Sequence, residues 1–147
     1  MLQATKIFHF EMAHAIHDHK GACGNIHGHS YELHVTVTST VPEDAYITSP
    51  GMLIDFKDLK SMVNRAVIEK LDHKIALSRA YLDKGPATSF KNLLQMEVEP
   101  SAENLLIYAK KSIEQILPEG INLLALRLFE TKDSYAEWVR YPIAGEI

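Results

Sequence analysis

The stretch of sequence that decides the fold runs from residue 6 to residue 38 and reads KIFHFEMAHAIHDHKGACGNIHGHSYELHVTVT. Large side chains occupy every second position from Phe8 to His14, and apolar and polar residues alternate regularly again from Tyr31 to Thr38. Because successive side chains of a β-strand point to opposite faces, both parts are predicted to be half-buried strands. The polar residues 17–25 between them contain two glycines and predict a loop that closes a long hairpin.

Histidine is concentrated in this stretch, since five of the eight in the chain lie at positions 14, 17, 19, 27 and 29. His27 and His29 share one phase of the second strand, and His14 ends the strand that faces it. The three imidazoles are therefore predicted to converge. Three neutral imidazoles with an open fourth position are typical of a catalytic zinc site, whereas a structural site usually has four protein ligands. The sequence therefore predicts Zn²⁺ bound by His14, His27 and His29.

The other histidines nearby are less suited to bind the same ion. An HxH pair by itself is more often structural, and the third histidine at the facing strand end is what favours a metal site. His17 and His19 are rival ligands, but they lie in the polar loop and are predicted to be solvated. His34 has the opposite phase to His29 and is predicted to face away from the ion.

The chain after residue 50 predicts two helices. Residues 56–71 place apolar side chains at helical spacing on one face. Ser101 is able to cap a second helix, whose apolar stripe runs from Leu105 to Leu117. Residues 82–95, with a glycine, a proline and mixed polarity, are predicted to be a surface loop.

Two further strands complete the pattern. The first is predicted from three alternating residues, Leu124, Leu126 and Leu128. It leads to Glu130, and the last strand is predicted over about residues 136–141. The order β-β-α-α-β-β predicts a single α+β domain over residues 1–147, with helices packed on one face of a sheet.

Composition argues against several classes of function. The formal net charge is −4, so we expect no basic surface for nucleic acid or for an anionic membrane. The sequence has neither a secretory signal nor an apolar run of about 18 residues, so a cytoplasmic protein is expected. The single cysteine, Cys23, excludes an intramolecular disulfide.

Four further side chains have the chemistry for proton transfer or ligand binding, although each by itself is more often structural. Cys23 lies four residues before His27, and a nearby cation favours its thiolate, which is a base. Asp72 and His73 follow the first helix, where a histidine either compensates the helix dipole or relays protons to the cysteine. Glu130 ends an apolar strand phase, where a carboxylate needs a partner such as the amino-pyrimidine edge of a ligand.

The motifs that carry these residues resemble, in content and in order, those of the 6-pyruvoyl-tetrahydropterin synthase and 6-carboxy-tetrahydropterin synthase family. The resemblance extends from about residue 6 to about residue 141 and rests on Phe10-x-x-Ala13-His14, Gly21-x-Cys23-x-x-x-His27-Gly28-His29-x-Tyr31, Leu53-Ile54-Asp55-Phe56, Leu71-Asp72-His73, Pro100-Ser101-x-Glu103-Asn104-Leu105 and Glu130-Thr131.

The resemblance implies a fold, an assembly and a set of site residues. The fold is the tunnelling fold, a four-stranded antiparallel sheet with two helices on one side. Trimers of such units close a barrel, two trimers stack into a hexamer, and the active sites lie between subunits. Zinc on the three histidines is implied, with Cys23 as proton acceptor. His73 and Glu130 belong to the charge relay, and Asp72 stands behind His73.

Substrate contacts are implied in the same way. Glu130 also anchors the pterin ring. Because the active sites lie between subunits, the resemblance allows Glu130 and Cys23 of one active site to belong to different chains. The implied substrate-binding residues are Glu130, Ser101 and Glu103. Ala102, where many relatives have threonine, and the long segment 82–95 depart from the family pattern.

Spacing within the motif separates the branches of the family. Three residues between the cysteine and the HGH motif, as here, are typical of the queuosine branch, and five of the pyruvoyl branch. Another branch has glutamate at the cysteine position and is not matched. The resemblance implies conversion of 7,8-dihydroneopterin triphosphate to 6-carboxytetrahydropterin, acetaldehyde and triphosphate. A 6-pyruvoyl product from the same substrate, and a non-catalytic zinc-binding module, are the alternatives.

Overall fold

The predicted hairpin forms the centre of the sheet. Strand β1 (Gln3–His14) pairs antiparallel with strand β2 (His27–Ser39), and their register ends with His14 opposite His27. The polar loop that joins them contains a short 3₁₀ turn, Ala22–Gly24.

The computed structural model describes residues 1–42, 44–84 and 89–141, and the remaining elements follow in chain order. They are α1 (Phe56–Val63), a π-helical turn (Asn64–Ile68), α2 (Glu69–Leu71), β3 (Lys74–Ser78), α3 (Arg79–Lys84), β4 (Leu93–Met96), α4 (Ala102–Glu114), β5 (Ile121–Thr131) and β6 (Ser134–Val139).

Within the described residues the sheet has six strands, in the order β4-β3-β1-β2-β5-β6. The prediction of a four-stranded antiparallel sheet was wrong in the number of strands, although β1, β2, β5 and β6 are neighbours and pair antiparallel. Strand β3 lies parallel to β1, and β4 lies parallel to β3, so the sheet is mixed. Both were missed because strands of five and four residues are too short to show a clear alternation.

The segment 82–95 has more regular structure than the predicted surface loop. Its first residues end helix α3, and its last residues belong to β4. Residues 85–88, which include the glycine and the proline behind the prediction, lie outside the described residues.

Both predicted helices are present. Residues 56–71 are helical throughout, with a π-helical turn between α1 and α2. Asp55 caps α1, because its carboxylate accepts the N–H of Lys57 at 2.8 Å. Helix α1 packs on β1, and α4 packs on β5 and β6. Within the described ranges, no helix has both the length and the apolarity needed to cross a membrane.

The hydrophobic core lies between the helices and one face of the sheet. Alternate side chains of the central strands are buried, including Phe8 and Phe10 of β1 and Leu33 of β2. They belong to one cluster with the buried helical residues Leu59 and Leu105. The apolar phase predicted for the hairpin is therefore the phase that faces the core.

A β-bulge changes the phase of β5. The pairing between β2 and β5 passes over Leu124, which has no partner on β2. Leu123 is consequently 1% exposed, whereas Leu124 is half-buried. The prediction that Leu124 shares the phase of Leu126 and Leu128 was wrong, because one extra residue in a strand reverses the alternation.

Truncation of the two adjacent leucines should distinguish the bulged register from a regular one. Leu123→Ala should lower the free energy of unfolding by about 2–5 kcal/mol, because it leaves a cavity in the core. Leu124→Ala should cost about 1 kcal/mol or less, because less of that side chain is buried. Denaturant unfolding of both variants at one protein concentration measures the difference. A larger loss in Leu124→Ala would contradict the register.

Candidate metal centre and active site

The three predicted ligands converge at one end of the β1–β2 hairpin. His14 is the last residue of β1 and lies opposite His27, the first residue of β2. His29 lies two residues further along β2, on the same side as His27. One ligand nitrogen from each ring can be chosen so that all three lie within 4.8 Å of one another. The structure therefore brings together the three histidines singled out in the sequence.

Main-chain carbonyls set the orientation of two of the rings. His14 Nδ1 lies 2.6 Å from the carbonyl oxygen of Pro100, and His27 Nδ1 lies 2.7 Å from that of Asn25. A carbonyl oxygen only accepts, so each Nδ1 carries a proton and donates it. In the neutral rings the two Nε2 atoms, 3.1 Å apart, then face each other with lone pairs. Two lone pairs at this distance repel unless a cation lies beside both, so the arrangement fits a bound metal ion.

The surroundings of His14 keep it neutral, as a metal ligand must be. The residue is 2% exposed. Burial lowers the pKa of His14 below its ordinary value, and the hydrogen bond to Pro100 and the nearby Glu130 only partly offset this effect. A neutral imidazole near neutral pH binds a metal without first releasing a proton. A set of three imidazole ligands suits Zn²⁺ among the divalent transition metals.

Glu130 of the same chain lies beside His14 and His29. Its carboxylate oxygens are 3.9 Å from Nε2 of His14 and 3.9 Å from Nε2 of His29. The side chain is 29% exposed, so it is open to a ligand from one side. Glu130 therefore lies close to the candidate metal ligands of its own chain.

A cleft of about 500 Å³ opens over the metal site. The residues that line it include His14, Cys23, Glu130, Ser101 and Glu103. Cys23 is exposed and lies in the 3₁₀ turn of the hairpin loop. A thiol, a carboxylate and an imidazole of the candidate metal site therefore share one opening to solvent.

The start of α4 forms one side of the cleft. Ser101 caps this helix as predicted, because its hydroxyl oxygen accepts the N–H of Asn104 at 3.2 Å. Glu103 is exposed in the first turn, where the helix dipole favours a negative charge. Both residues therefore have a structural role in addition to the substrate contacts implied by the family resemblance.

His73 lines a neighbouring groove, Asp72 lies beside it, and neither residue lines the cleft. Asp72 Oδ1 accepts the N–H of Glu11 at 2.9 Å and lies 2.9 Å from His73 Nδ1. The bond from Glu11 is the main reason that the pKa of Asp72 lies below its ordinary value. The His73 side chain is 78% exposed and lines a groove of about 460 Å³ together with His29. Among the described residues, no hydrogen bond or ion pair joins His73 to Cys23.

Sequence reasoning missed the groups that hold the metal ligands in place. The carbonyls of Pro100 and Asn25 are main-chain groups, so side-chain identity does not mark them. Tyr31 is 1% exposed and packs edge-on against His14 and His29, with ring centroids 6.1 and 5.4 Å away. Its phase on β2, the same as that of the ligands, was a signal that could have identified it.

The two other histidines of the loop occupy different environments. His19 is exposed, as predicted. The prediction that His17 is solvated was wrong, because its side chain is 18% exposed and its Nε2 is buried. The loop folds back toward the segment before α4, where Glu99 accepts the N–H of His17 at 2.6 Å. Within the described residues, neither histidine belongs to the metal-binding cluster.

Comparisons with known proteins identify those to which this chain is similar. The sequence model of the family described as 6-pyruvoyl tetrahydropterin synthase matches residues 3–140. A Haemophilus influenzae protein named 6-carboxy-5,6,7,8-tetrahydropterin synthase is 27% identical over 143 residues, which are 94% of this chain and 99% of that protein. An Archaeoglobus fulgidus protein named putative 6-carboxy-5,6,7,8-tetrahydropterin synthase is 31% identical over 129 residues, 87% of each chain.

The fold has relatives among solved structures. The 6-pyruvoyl tetrahydropterin synthase of Caenorhabditis elegans matches with a TM-score of 0.67 at 21% identity. The match covers 95% of this chain and 96% of that one, so the likeness of fold extends over the whole domain.

The purified protein should contain about one divalent transition-metal ion per chain. His27→Ala should remove most of it, because only two of the three imidazoles remain. His34→Ala is the matched control, since that ring lies 2.6 Å from Glu32 and has the opposite strand phase. Elemental analysis by mass spectrometry after desalting measures the metal. Stoichiometric metal in a variant that lacks both His27 and His29 would rule out the site.

Proposed function

This chain belongs to the 6-pyruvoyl tetrahydropterin synthase family, and we propose that it is a zinc-dependent lyase that forms 6-carboxy-5,6,7,8-tetrahydropterin. One observation carries the proposal, namely that His14, one of three converging imidazoles, lines a cleft that also holds Cys23 and Glu130. The relatives named for this activity align with most of the chain. The three residues between Cys23 and His27 further support the queuosine branch. We accordingly assign the protein to queuosine biosynthesis in the cytoplasm.

The proposed substrate is 7,8-dihydroneopterin triphosphate, and the reaction balances with one molecule of water. Loss of triphosphate, with transfer of hydrogen from the side chain to the ring, gives the 6-pyruvoyl compound. Addition of water and cleavage between the two carbonyl carbons then give the 6-carboxylate and acetaldehyde. No external oxidant or reductant is required, because the side-chain carbons are oxidised as the ring is reduced.

His14, His27 and His29 would hold Zn²⁺ and leave a fourth position open to the substrate. When bound, the ion supplies Lewis acidity to the hydroxyl groups of the substrate side chain. The carbonyl partners of His14 and His27 fix the ring tautomers, so the ligand nitrogens are oriented before the ion arrives.

Glu130 is proposed to anchor the pterin ring. Its two carboxylate oxygens are suited to accept paired N–H groups from an amino-pyrimidine edge. Because the carboxylate lies 3.9 Å from Nε2 of His14 and of His29, a ring held there would lie beside the candidate metal site. Ser101 and Glu103 line the same cleft and would contact the substrate. Since Ser101 Oγ already accepts the N–H of Asn104, its own hydrogen is free to be donated.

Proton transfer is assigned to Cys23 and to the Asp72–His73 pair. Cys23 would accept the carbon-bound proton of the substrate side chain. Asp72 holds Nδ1 of His73, so the exposed Nε2 is left to exchange protons. Because His73 and Cys23 line different cavities of one chain, we place His73 of a neighbouring subunit against the cleft.

The edges of the sheet are the proposed site of assembly. Among the described residues, β4 and β6 each have one neighbouring strand, so each presents unpaired main-chain groups. Closing three sheets edge to edge would pair these groups, and two such trimers would form a hexamer. The proposed sharing of His73 between subunits requires an assembly of this kind.

Zinc-loaded protein incubated with 7,8-dihydroneopterin triphosphate should form 6-carboxytetrahydropterin, acetaldehyde and triphosphate, identified by mass. Cys23→Ala should retain zinc but lose at least about 10²-fold in turnover, because a positioned acid–base group contributes at least that much. A 6-pyruvoyl product without acetaldehyde would instead assign the activity for which the family model is named. No product from protein with intact metal would favour a non-catalytic zinc-binding module.

Mixing two variants and measuring turnover in the same assay tests whether the His73 that serves a cleft belongs to a neighbouring subunit. After dissociation and reassembly, equal amounts of Cys23→Ala and His73→Ala should recover about a quarter of the wild-type turnover, since random assembly pairs an intact cysteine with an intact histidine at that frequency. The matched control is Cys23→Ala with Glu130→Ala, which should not recover, because both residues belong to the cleft of one chain. Failure of the first mixture would place His73 and Cys23 in the same subunit.

A further inference from the structure

The loop that carries Cys23 is exposed, and hydrogen bonds within it define its shape. The N–H of Ile16 donates to the carbonyl of Cys23 at 2.8 Å, which closes the loop on its own first residues. The N–H of Gly24 donates to the carbonyl of Gly21 at 3.1 Å. A Cβ at position 24 would collide with the carbonyl oxygen of His19, so only glycine fits this close approach. The loop is therefore an ordered unit and not a free strand connection.

Glu99 connects this unit to the rest of the fold. Its Oε1 accepts the N–H of His17 at 2.6 Å. Glu99 lies between β4 and α4 and immediately precedes Pro100, whose carbonyl holds His14. One short segment thus contacts both the loop of the proposed base and a ligand of the metal.

We propose that Glu99 is a positioning residue that fixes the distance between the Cys23 thiol and the metal site. Glu99 is not among the described residues that line the cleft, so it acts through the loop and does not touch the substrate. The Glu99 side chain holds the loop through His17, while the carbonyl of Pro100, the next residue, holds His14. The inference rests on the proposed function only because it takes Cys23 to be the base.

The hydrogen bond from the N–H of His17 depends on the length of the Glu99 side chain and not on its charge. Glu99→Gln keeps the side-chain length and an acceptor oxygen but removes the charge. Glu99→Asp keeps the charge but shortens the side chain by one methylene, so its oxygen no longer meets the N–H of His17. A positioning role is therefore rescued by glutamine and not by aspartate.

The test compares steady-state kinetics with the rate at which iodoacetamide alkylates Cys23 in the same metal-loaded variants. The chain has one cysteine, so alkylation reports on this loop only. Glu99→Ala and Glu99→Asp should lower kcat about tenfold to hundredfold with little change in KM, because misplacing a reacting group by about 1 Å has that effect. The alkylation rate should differ from that of wild type by about threefold or more, since a released loop moves the thiol relative to the bound cation that favours its thiolate. Glu99→Gln should stay within about threefold of wild type in both measurements.

Glu97→Ala is the matched control. Glu97 lies two residues away, is 73% exposed, and forms a 3.8 Å ion pair with Arg79. Both kcat and the alkylation rate should be unchanged in this variant. Metal content should be unchanged in all of the variants, because no Glu99 side-chain atom contacts a metal ligand.

The outcomes separate this inference from the proposed function. Wild-type alkylation rates and kcat in Glu99→Ala and Glu99→Asp would overturn the inference, as would an aspartate variant closer to wild type than the glutamine variant. If Glu99→Ala does not fold, the comparison of Glu99→Gln with Glu99→Asp still tests whether Glu99 positions the loop. If wild-type protein does not act on the pterin triphosphate, the proposed function fails, while the alkylation rates still decide whether Glu99 positions the loop.

Discussion

His14 donates its Nδ1 proton to the carbonyl of Pro100 across 2.6 Å inside the protein, and the rest of the site depends on this hydrogen bond. It joins the end of β1 to the segment that leads into α4, so it connects the sheet with the helical layer. It also leaves the lone pair of Nε2 facing His27, in the direction where a metal ion would lie. Removing the acceptor would leave a buried N–H unpaired and free the ring to rotate, which costs about 1–3 kcal/mol as well as the ligand geometry.

Three consecutive residues at this junction each organise a different part of the cleft. The carboxylate of Glu99 holds the loop of Cys23 through His17. The carbonyl of Pro100 holds the metal ligand His14, and the hydroxyl of Ser101 caps the helix that forms one side of the cleft. The positions of the Cys23 loop, of His14 and of the start of α4 consequently depend on hydrogen bonds made by three consecutive residues. This explains how an exposed loop can present a thiol at a defined place.

Periodicity within the two strands was sufficient to predict the hairpin and the convergence of the three histidines, because both depend on strand alternation. His27 and His29 share a face through strand alternation, and this requires no knowledge of distant contacts. The bulge at Leu124 and the short strands β3 and β4 depend instead on pairing between segments far apart in sequence. The role of Pro100 could not be predicted either, since every residue has a carbonyl and only the folded chain shows which one meets an imidazole. Periodicity does not decide whether His73 compensates a helix dipole or relays protons, and the relay was favoured by the order of motifs in the family.

X-ray absorption spectroscopy at the zinc K-edge of the zinc-loaded protein tests the central claim most directly, because it measures the atoms that surround the ion. Three imidazole nitrogens at about 2.0–2.1 Å are expected, with one further oxygen or nitrogen ligand at a similar distance. The multiple-scattering pattern of imidazole should account for three of the four ligands. A sulfur ligand at about 2.3 Å would contradict the claim, since Cys23 would then bind the metal and would not be available as a base.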